Sequence, residues 1–262
     1  MPELPDVEIF RKFLDKTALH LSIEKVEVLA TDVLDDISQK QLQSQIKGHQ
    51  FESTDRYGKY LFTGLSDNGC IVFHFGMTGY LDYLKDGNQA PKHTRVLFSF
   101  DNDYHLAFVL QRKLGRITLA RDIDSFLKKQ CLGPDALDKN FGLKDFEKAI
   151  KEAKCSIKSA LMNQERIAGI GNIYSDEILF QAKLYPKAKV SELNDQDFER
   201  LFKEMKNVLK TAIDSQADPL KMPRNYLLSH REKGGKCPIC GADLKSKKIS
   251  GRTCYYCPSC QR

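Results

Sequence analysis

The hydrophobic pattern changes period part-way along the chain, and that change limits the available folds more than any other feature. Between Ile23 and about Ala120 the chain is dominated by short β-rich runs: IEKVEV, KYLFTGL, CIVFHFGM, RVLFSF, HLAFVL and GRITLA. Such runs, several of them alternating apolar with polar residues, predict β-strands. Asn68-Gly69 and the DND stretch at 101–103 are turn signals between them. The expected product is an antiparallel sandwich or flattened barrel. Beyond the Gly-Pro pair at 133–134 the period becomes helical. Helices are expected over 143–153, 156–164, 172–182 and 195–213; in the last, Phe198, Leu201, Phe202, Met205, Val208, Leu209 and Ile213 keep helical period. A chain of this order is α+β, strands first and helices second. A short helix opens it: Pro5 suits a first turn, Asp6 and Glu8 suit the positive helix start, and Val7, Phe10 and Leu14 share a face.

The 262 residues are enough for one large domain or two of ordinary size. No apolar run approaches the roughly 20 residues of a membrane span, and acids stand where a secretory leader carries bases. The expectation is a cytoplasmic chain without a membrane partner. Net charge is +6, and the excess is local: Arg231 to Arg262 hold eight Lys or Arg against Glu232 and Asp243. A basic module on a neutral body points to a polyanion such as nucleic acid, because phosphate contacts dominate that affinity. A solvated lysine-rich tail is the plainer alternative.

The same tail contains CPICGADLKSKKISGRTCYYCPSC. Cys237 with Cys240 and Cys257 with Cys260 form two CxxC pairs 16 residues apart, the spacing of a four-thiolate zinc site, and Gly241 suits a knuckle. Disulfides do not suit a reducing compartment. Cys254 is expected as a packed thiol, and Cys70, Cys131 and Cys155 as core residues. One structural Zn2+ would order a basic hairpin carrying Lys245, Lys247, Lys248 and Arg252. Nucleic-acid binding is the first reading of that hairpin, a protein-binding ribbon the second. Upstream, MNQERIAGIGNIYSDEILF reads helix, turn, helix, with Gly169 and Gly171 bracketing the bend. Free N–H groups at a helix start attract anions, so Asn172 either caps the helix or helps to bind a phosphate. At the other end, Pro2 has an inert nitrogen inside the chain, but removal of Met1 would turn it into a nucleophilic secondary amine.

Six stretches in order, PELPDVE at the start, RYGKYL at 56–61, HFGMTG at 74–79, LGPDAL at 132–137, AGIGNIY at 168–174 and the ribbon GRTCYYCPSCQ, carry a resemblance. Over its whole length the chain resembles the formamidopyrimidine-DNA glycosylase and endonuclease VIII family of bifunctional base-excision repair enzymes. The resemblance implies an N-terminal β-sandwich catalytic domain over 1–130, a helical domain with a helix-two-turn-helix over 131–225, and a zinc finger hairpin over 226–262. Pro2 is then the nucleophile that expels a damaged base from sugar carbon C1′, and Glu3 the general acid and base. Lys59 contacts phosphate and assists β-elimination, and Arg252 grips phosphates and assists δ-elimination. His93, Arg112, Lys154 and Asn172 become DNA contacts. A flipped nucleotide leaves a hole, which Met77 would fill while Arg112 reaches the orphaned base. Leu114 stands where a wedge phenylalanine is usual.

The implied partner is double-stranded DNA with a damaged base or abasic site, lying between the β and helical parts and bound by a monomer. Three departures shape the expected specificity. Asp6 replaces the usual glutamate, and QRKLG at 111–115 replaces Asp-x-Arg-Lys-Phe-Gly. The stretch Pro219 to Cys237 is short for the loop that closes over oxidised guanine, which favours opened purines and oxidised pyrimidines over 8-oxoguanine. The rival reading is a catalytically idle scaffold that recognises damaged DNA; a zinc-ribbon RNA-binding protein is more distant.

Overall fold

The computed structural model describes residues 1–66 and 69–262, so Asn68 of the expected Asn68-Gly69 turn lies outside the described residues. The chain divides into two compact units, Met1–Pro2 with Asp6–Cys131, and Glu3–Pro5 with Leu132–Arg262.

Helix α1 (Leu4–Thr17) opens the chain, and Val7 and Leu14 on its inner face are fully buried. Strand β1 (Ile23–Val28) and helix α2 (Gln39–Ile46) follow, then β2 (Phe51–Tyr57), β3 (Tyr60–Leu65), β4 (Cys70–His74), β5 (Gly79–Lys85), β6 (Thr94–Phe100), β7 (Tyr104–Leu110), β8 (Arg116–Ala120) and helix α3 (Ile123–Lys129). They form two four-stranded antiparallel sheets, ordered β1-β6-β7-β5 and β2-β3-β4-β8. The sheets share one core: Phe73 meets Phe98 and Phe108 edge-on, with ring centroids 6.1 and 5.4 Å apart. This is the expected sandwich. The second sheet is covered on its other face as well, where Phe62, Cys70 and Val72 pack with Phe126 of α3. Burial on both faces explains why β3 and β4 read as near-continuous apolar runs rather than alternations.

In the second unit α4 (Leu143–Ile150), α5 (Ile157–Met162), α6 (Asn172–Gln181) and α7 (Asp195–Asp214) fall where the helical period places them. Asn194 and Asp197 close a capping box at the start of α7, which buries Phe198, Leu201, Met205, Val208, Leu209 and Ala212. Helix α6 is different, because Ser175, Asp176 and Glu177 are buried along with its apolar residues. The chain ends in a hairpin of β9 (Lys245–Ile249) and β10 (Arg252–Tyr256). Its turn residues Ser250 and Gly251 have φ of 48° and 74°, the left-handed pair that a tight hairpin of right-twisted strands requires. Phe180 of α6 packs with Leu227, Cys237, Leu244 and Cys257 and seats the hairpin module on the helices.

Cys70 and Cys254 are buried as expected, but Cys131 and Cys155 are exposed. Both lie in connections, Cys131 in a left-handed turn after α3 and Cys155 just before α5, and connections run over the surface. No helix among the described residues is long and apolar enough to cross a membrane.

Candidate active site and metal centre

At the turn between α5 and α6, three backbone amides already hold an anion from the same chain. The carboxylate of Glu3, fully buried, accepts from the N–H of Gly171 at 2.7 Å, Ile173 at 2.8 Å and Tyr174 at 3.2 Å. The positive start of α6 thus holds an acidic side chain of the same chain. The N-cap position is Gly171, and Asn172 is the first helical residue rather than the cap. A Cβ at Gly171 would lie 2.3 Å from the carboxyl carbon of Glu3, which is why glycine is needed there. Gly169, at φ +111°, accepts from Leu4 N–H at 3.0 Å and has the Leu4 side chain against it. Gln164 braces the same bend: it donates to the Ile170 carbonyl at 2.8 Å and accepts from Gly169 N–H at 3.0 Å. Residues 3 and 4 are thereby fixed by the helix-turn-helix, and half-buried Pro2 stands one peptide bond away.

Lys59 occupies the two-residue turn joining β2 and β3, where Gly58 takes φ 56°. Arg56 donates to the Gly58 carbonyl at 3.3 Å and to Glu8 of α1 at 3.3 Å, tying the turn to the opening helix. Burial tends to raise the Glu8 carboxyl, but the hydrogen bond and charge of Arg11, with the charge of Arg56, hold it below the usual range. Across the sheet, His74 packs on Tyr60 with ring centroids 5.0 Å apart. Burial, then the charges of Lys59 and Arg116, depress the imidazole to about 4. It is therefore neutral at physiological pH, as befits the N–H of Gly76 approaching its Nδ1 at 3.4 Å.

Met77, Arg112 and Leu114 come together where the β4–β5 and β7–β8 connections pack. Gly76, at φ +58°, lies so close to the backbone of Leu114 and Gly115 that a Cβ would meet it at 2.5–2.8 Å. Arg112 donates from its backbone to Thr78 Oγ1 at 3.2 Å, and its guanidinium lies 3.5 Å from Met77 Sδ. Leu114 is 51% exposed, an apolar side chain displayed rather than packed. His93 lies in the loop before β6, half-buried at φ 74°, its carbonyl accepting from the N–H of Leu110 at 3.0 Å. Lys154 is exposed between α4 and α5. Asn172 donates to the Thr253 carbonyl at 3.0 Å, one residue from the exposed Arg252 at the hairpin tip.

The thiol sulfurs of Cys237, Cys240, Cys257 and Cys260 all lie within 4.8 Å of one another. Cys237 to Cys260 is 3.8 Å and Cys240 to Cys257 is 3.5 Å. A tetrahedron with metal–sulfur arms of about 2.3 Å has an edge of about 3.8 Å, so this donor set fits a four-thiolate metal site. Gly241 at φ +74° makes the knuckle after the first pair, and backbone hydrogen bonding at Ala242 helps to bring the Cys240 thiol down to about 7.

Residues 1–117 match the formamidopyrimidine-DNA glycosylase N-terminal domain, and residues 132–223 match the formamidopyrimidine-DNA glycosylase H2TH domain. The chain belongs to the formamidopyrimidine-DNA glycosylase family of enzymes. It is 32% identical to the formamidopyrimidine-DNA glycosylase of Pelotomaculum thermopropionicum, with 100% of this chain and 99% of the relative aligned. The corresponding figures for the Listeria monocytogenes protein of the same name are 30%, 100% and 100%. In structure it is similar to Lactococcus lactis Fpg (MutM) bound to DNA containing N7-benzyl-Fapy-dG, at a TM-score of 0.91, 28% identity and full coverage of both chains. The complex of Lactococcus lactis Fpg with abasic-site DNA gives 0.90 and 27%, with 99% of each chain covered.

Four further residues of this glycosylase-family chain escaped sequence reasoning. His74 stood in the HFGMTG stretch, but the cations beside it, Lys59 of the β2–β3 turn and Arg116 of β8, meet it only in the fold. Lys158, Asp176 and Arg231 belonged to no motif. They form a chain of ion pairs, Lys158 Nζ to Asp176 Oδ1 at 2.6 Å and Arg231 Nε to Asp176 Oδ2 at 2.8 Å, with Lys158 and Asp176 at zero exposure. Only the folded helices bring residues so distant in sequence together.

Proposed function

We propose that the protein is a DNA glycosylase with abasic-site lyase activity that excises oxidised or ring-opened bases through the amine of Pro2. The observation that carries this reading is the clasp on Glu3. The third residue of the chain is buried and held by three amides of α6, which limits the freedom of the residue before it. A catalytic carboxylate and an adjacent secondary amine are thus kept together without a flexible terminus.

With Met1 removed, the Pro2 nitrogen is an α-amine with a pKa of roughly 7.7–8.0, against about 10.4 for a lysine, so a useful fraction is unprotonated near neutrality. Its lone pair bonds to C1′ as the bond from C1′ to the base breaks, and the base leaves with that electron pair and takes a proton. Glu3 accepts the proton from the Pro2 nitrogen and returns one to the ring oxygen, opening the sugar to a C=N⁺ iminium. The iminium acidifies C2′–H. Loss of that proton expels the 3′ phosphate, with Lys59 assisting, and a second elimination aided by Arg252 expels the 5′ phosphate. His93, Arg112, Lys154 and Asn172 are proposed DNA contacts, with Met77 and Leu114 filling the space of the extruded nucleotide. Proximity of Met77, Arg112 and Leu114 supports their acting as one group.

Cys237, Cys240, Cys257 and Cys260 are proposed to hold one zinc ion, whose part is to fix the basic hairpin. The partner is double-stranded DNA bearing a damaged base or abasic site. Similarity to proteins bound to Fapy-dG and abasic-site DNA supports this. Opened purines and oxidised pyrimidines are the proposed lesions, on the shortness of the Pro219–Cys237 connection.

Borohydride reduction on a duplex with an abasic site tests the reading. The protein should become fixed to DNA, its intact mass should show Met1 absent, and Pro2→Gly should lose nearly all trapping. DNA binding without any adduct, or full trapping by Pro2→Gly, would refute it.

A further inference from the structure

We propose that Arg231 is a positioning residue that aims the hairpin carrying Arg252 by clamping the backbone next to it, through the buried carboxylate of Asp176. The inference rests on the role proposed above for Arg252 and adds a residue to it.

Thr253, the neighbour of Arg252, has its carbonyl held by two side chains. Arg231 Nη2 donates to it at 3.1 Å and Asn172 Nδ2 at 3.0 Å. The same guanidinium sends Nε to Asp176 Oδ2 at 2.8 Å and stacks on Tyr255 with its carbon 5.2 Å from the ring centroid. Asp176 Oδ2 also accepts the backbone N–H of Tyr255 at 3.1 Å, so one carboxylate oxygen holds both the clamp and the strand. On its other side Asp176 is anchored by Lys158, which donates in addition to Ser175 Oγ at 2.7 Å and the Asn172 carbonyl at 3.0 Å. At the turn itself Ser250 Oγ meets Ser159 Oγ of α5 at 2.8 Å. The hairpin is fastened to α5 and α6 at residues 250, 253 and 255, the three positions around Arg252.

Arginine is required for this geometry because its rigid fork reaches a carboxylate and a carbonyl at once, whereas a lysine ammonium sits at a single point. Arg231 is 15% exposed and Asp176 fully buried, so the pair is shielded from water on the protein side. Without the fork Asp176 keeps Lys158 and the Tyr255 amide, and the fold retains its buried ion pair. What is lost is one of the two side-chain bonds to the Thr253 carbonyl. A displacement of about 1 Å at a phosphate-gripping group costs on the order of 100-fold in rate.

The test uses the full-length, zinc-loaded protein on an abasic-site duplex. Borohydride trapping and the ratio of δ- to β-elimination product are measured for the wild type and for Arg231→Gln, Arg231→Lys and Arg252→Ala. The expected result for Arg231→Gln is trapping within about twofold of wild type, unchanged zinc content, and a δ-to-β ratio reduced about tenfold or more. Arg231→Lys should be intermediate, since it restores the charge beside Asp176 but not the hold on Thr253. An unchanged ratio in Arg231→Gln overturns the proposal. Loss of zinc or of trapping in both Arg231 variants also overturns it, showing a general structural role. If Arg252→Ala leaves the ratio unaltered, the assignment of Arg252 fails and the proposal falls with it; trapping by the wild type separates that case from failure of the Pro2 reading.

Discussion

The two units keep their candidate functional groups in place by different means. In the sandwich the buried interior is apolar and aromatic, with Phe51, Phe73, Phe75, Phe98 and Phe108 in one core. Among the described residues, every charged side chain classed as buried belongs to the other unit: Glu3, Asp135, Lys158, Asp176 and Glu177. Lys59, Met77, Arg112 and Leu114 stand on turns shaped by glycines above an apolar core. Glu3, Asn172 and the hairpin of Arg252 are instead held by buried carboxylates and the amides and cations facing them. A β-sandwich presents its groups at the ends of rigid strands, while short helices without that lattice need directional bonds to fix orientation.

Breaking the charged half should have the largest effect. Asp176→Ala strands the buried Lys158 ammonium and removes the acceptor of Arg231 and Tyr255, and should cost about 5 kcal/mol in chemical denaturation. A cost below about 1 kcal/mol would mean that apolar packing alone holds this unit. In the sandwich, Phe73→Ala should cost about 4 kcal/mol by the same measurement, through a cavity between the sheets.

Glu177 sharpens the comparison through pH. Burial raises its carboxyl to about 7 despite hydrogen bonds from Gln181 and the amides of Leu227 and Leu228. Between the unfolded value near 4.5 and the folded value near 7 the native state binds more protons, so stability falls as pH rises through that window. The fall should reach about 3 kcal/mol by pH 8, and Glu177→Gln should flatten it. His74 acts in the opposite sense: its folded value near 4 lies below the ordinary 6.5, so its share of stability grows as pH rises from 4 to 6.5. Measuring unfolding free energy from pH 4 to 8 in wild type and Glu177→Gln separates the two slopes.

How much of this was legible in the sequence follows the same division. The strands β3, β4, β6 and β7 announce themselves because burial forces apolar residues into them. The strands β2 and β5, FESTDRY and GYLDYLK, do not read as strand runs because charged and polar residues break their apolar pattern; β1 and β8 lie at sheet edges too but keep theirs in IEKVEV and GRITLA. Helix α2, with only Leu42 and Ile46 buried, was missed for the same reason. The four-cysteine cluster was legible, because ligands close in space are close in sequence. The use of Glu3 as the anion at the start of α6 was not. AGIGNIY shows that something must approach the glycines closely, but not that it is a side chain from the far end of the chain. Asn172, read as a possible cap, was displaced from that task by Glu3 and donates to the hairpin instead.

The clasp at Gly171 has a consequence for how such a protein can vary. Two positions separated by 168 residues share one volume of space, and a methyl group at the second would evict the carboxylate at the first. A change at residue 171 would therefore displace a side chain at the far end of the chain without touching it chemically, and drift at one address is possible only if the other drifts with it.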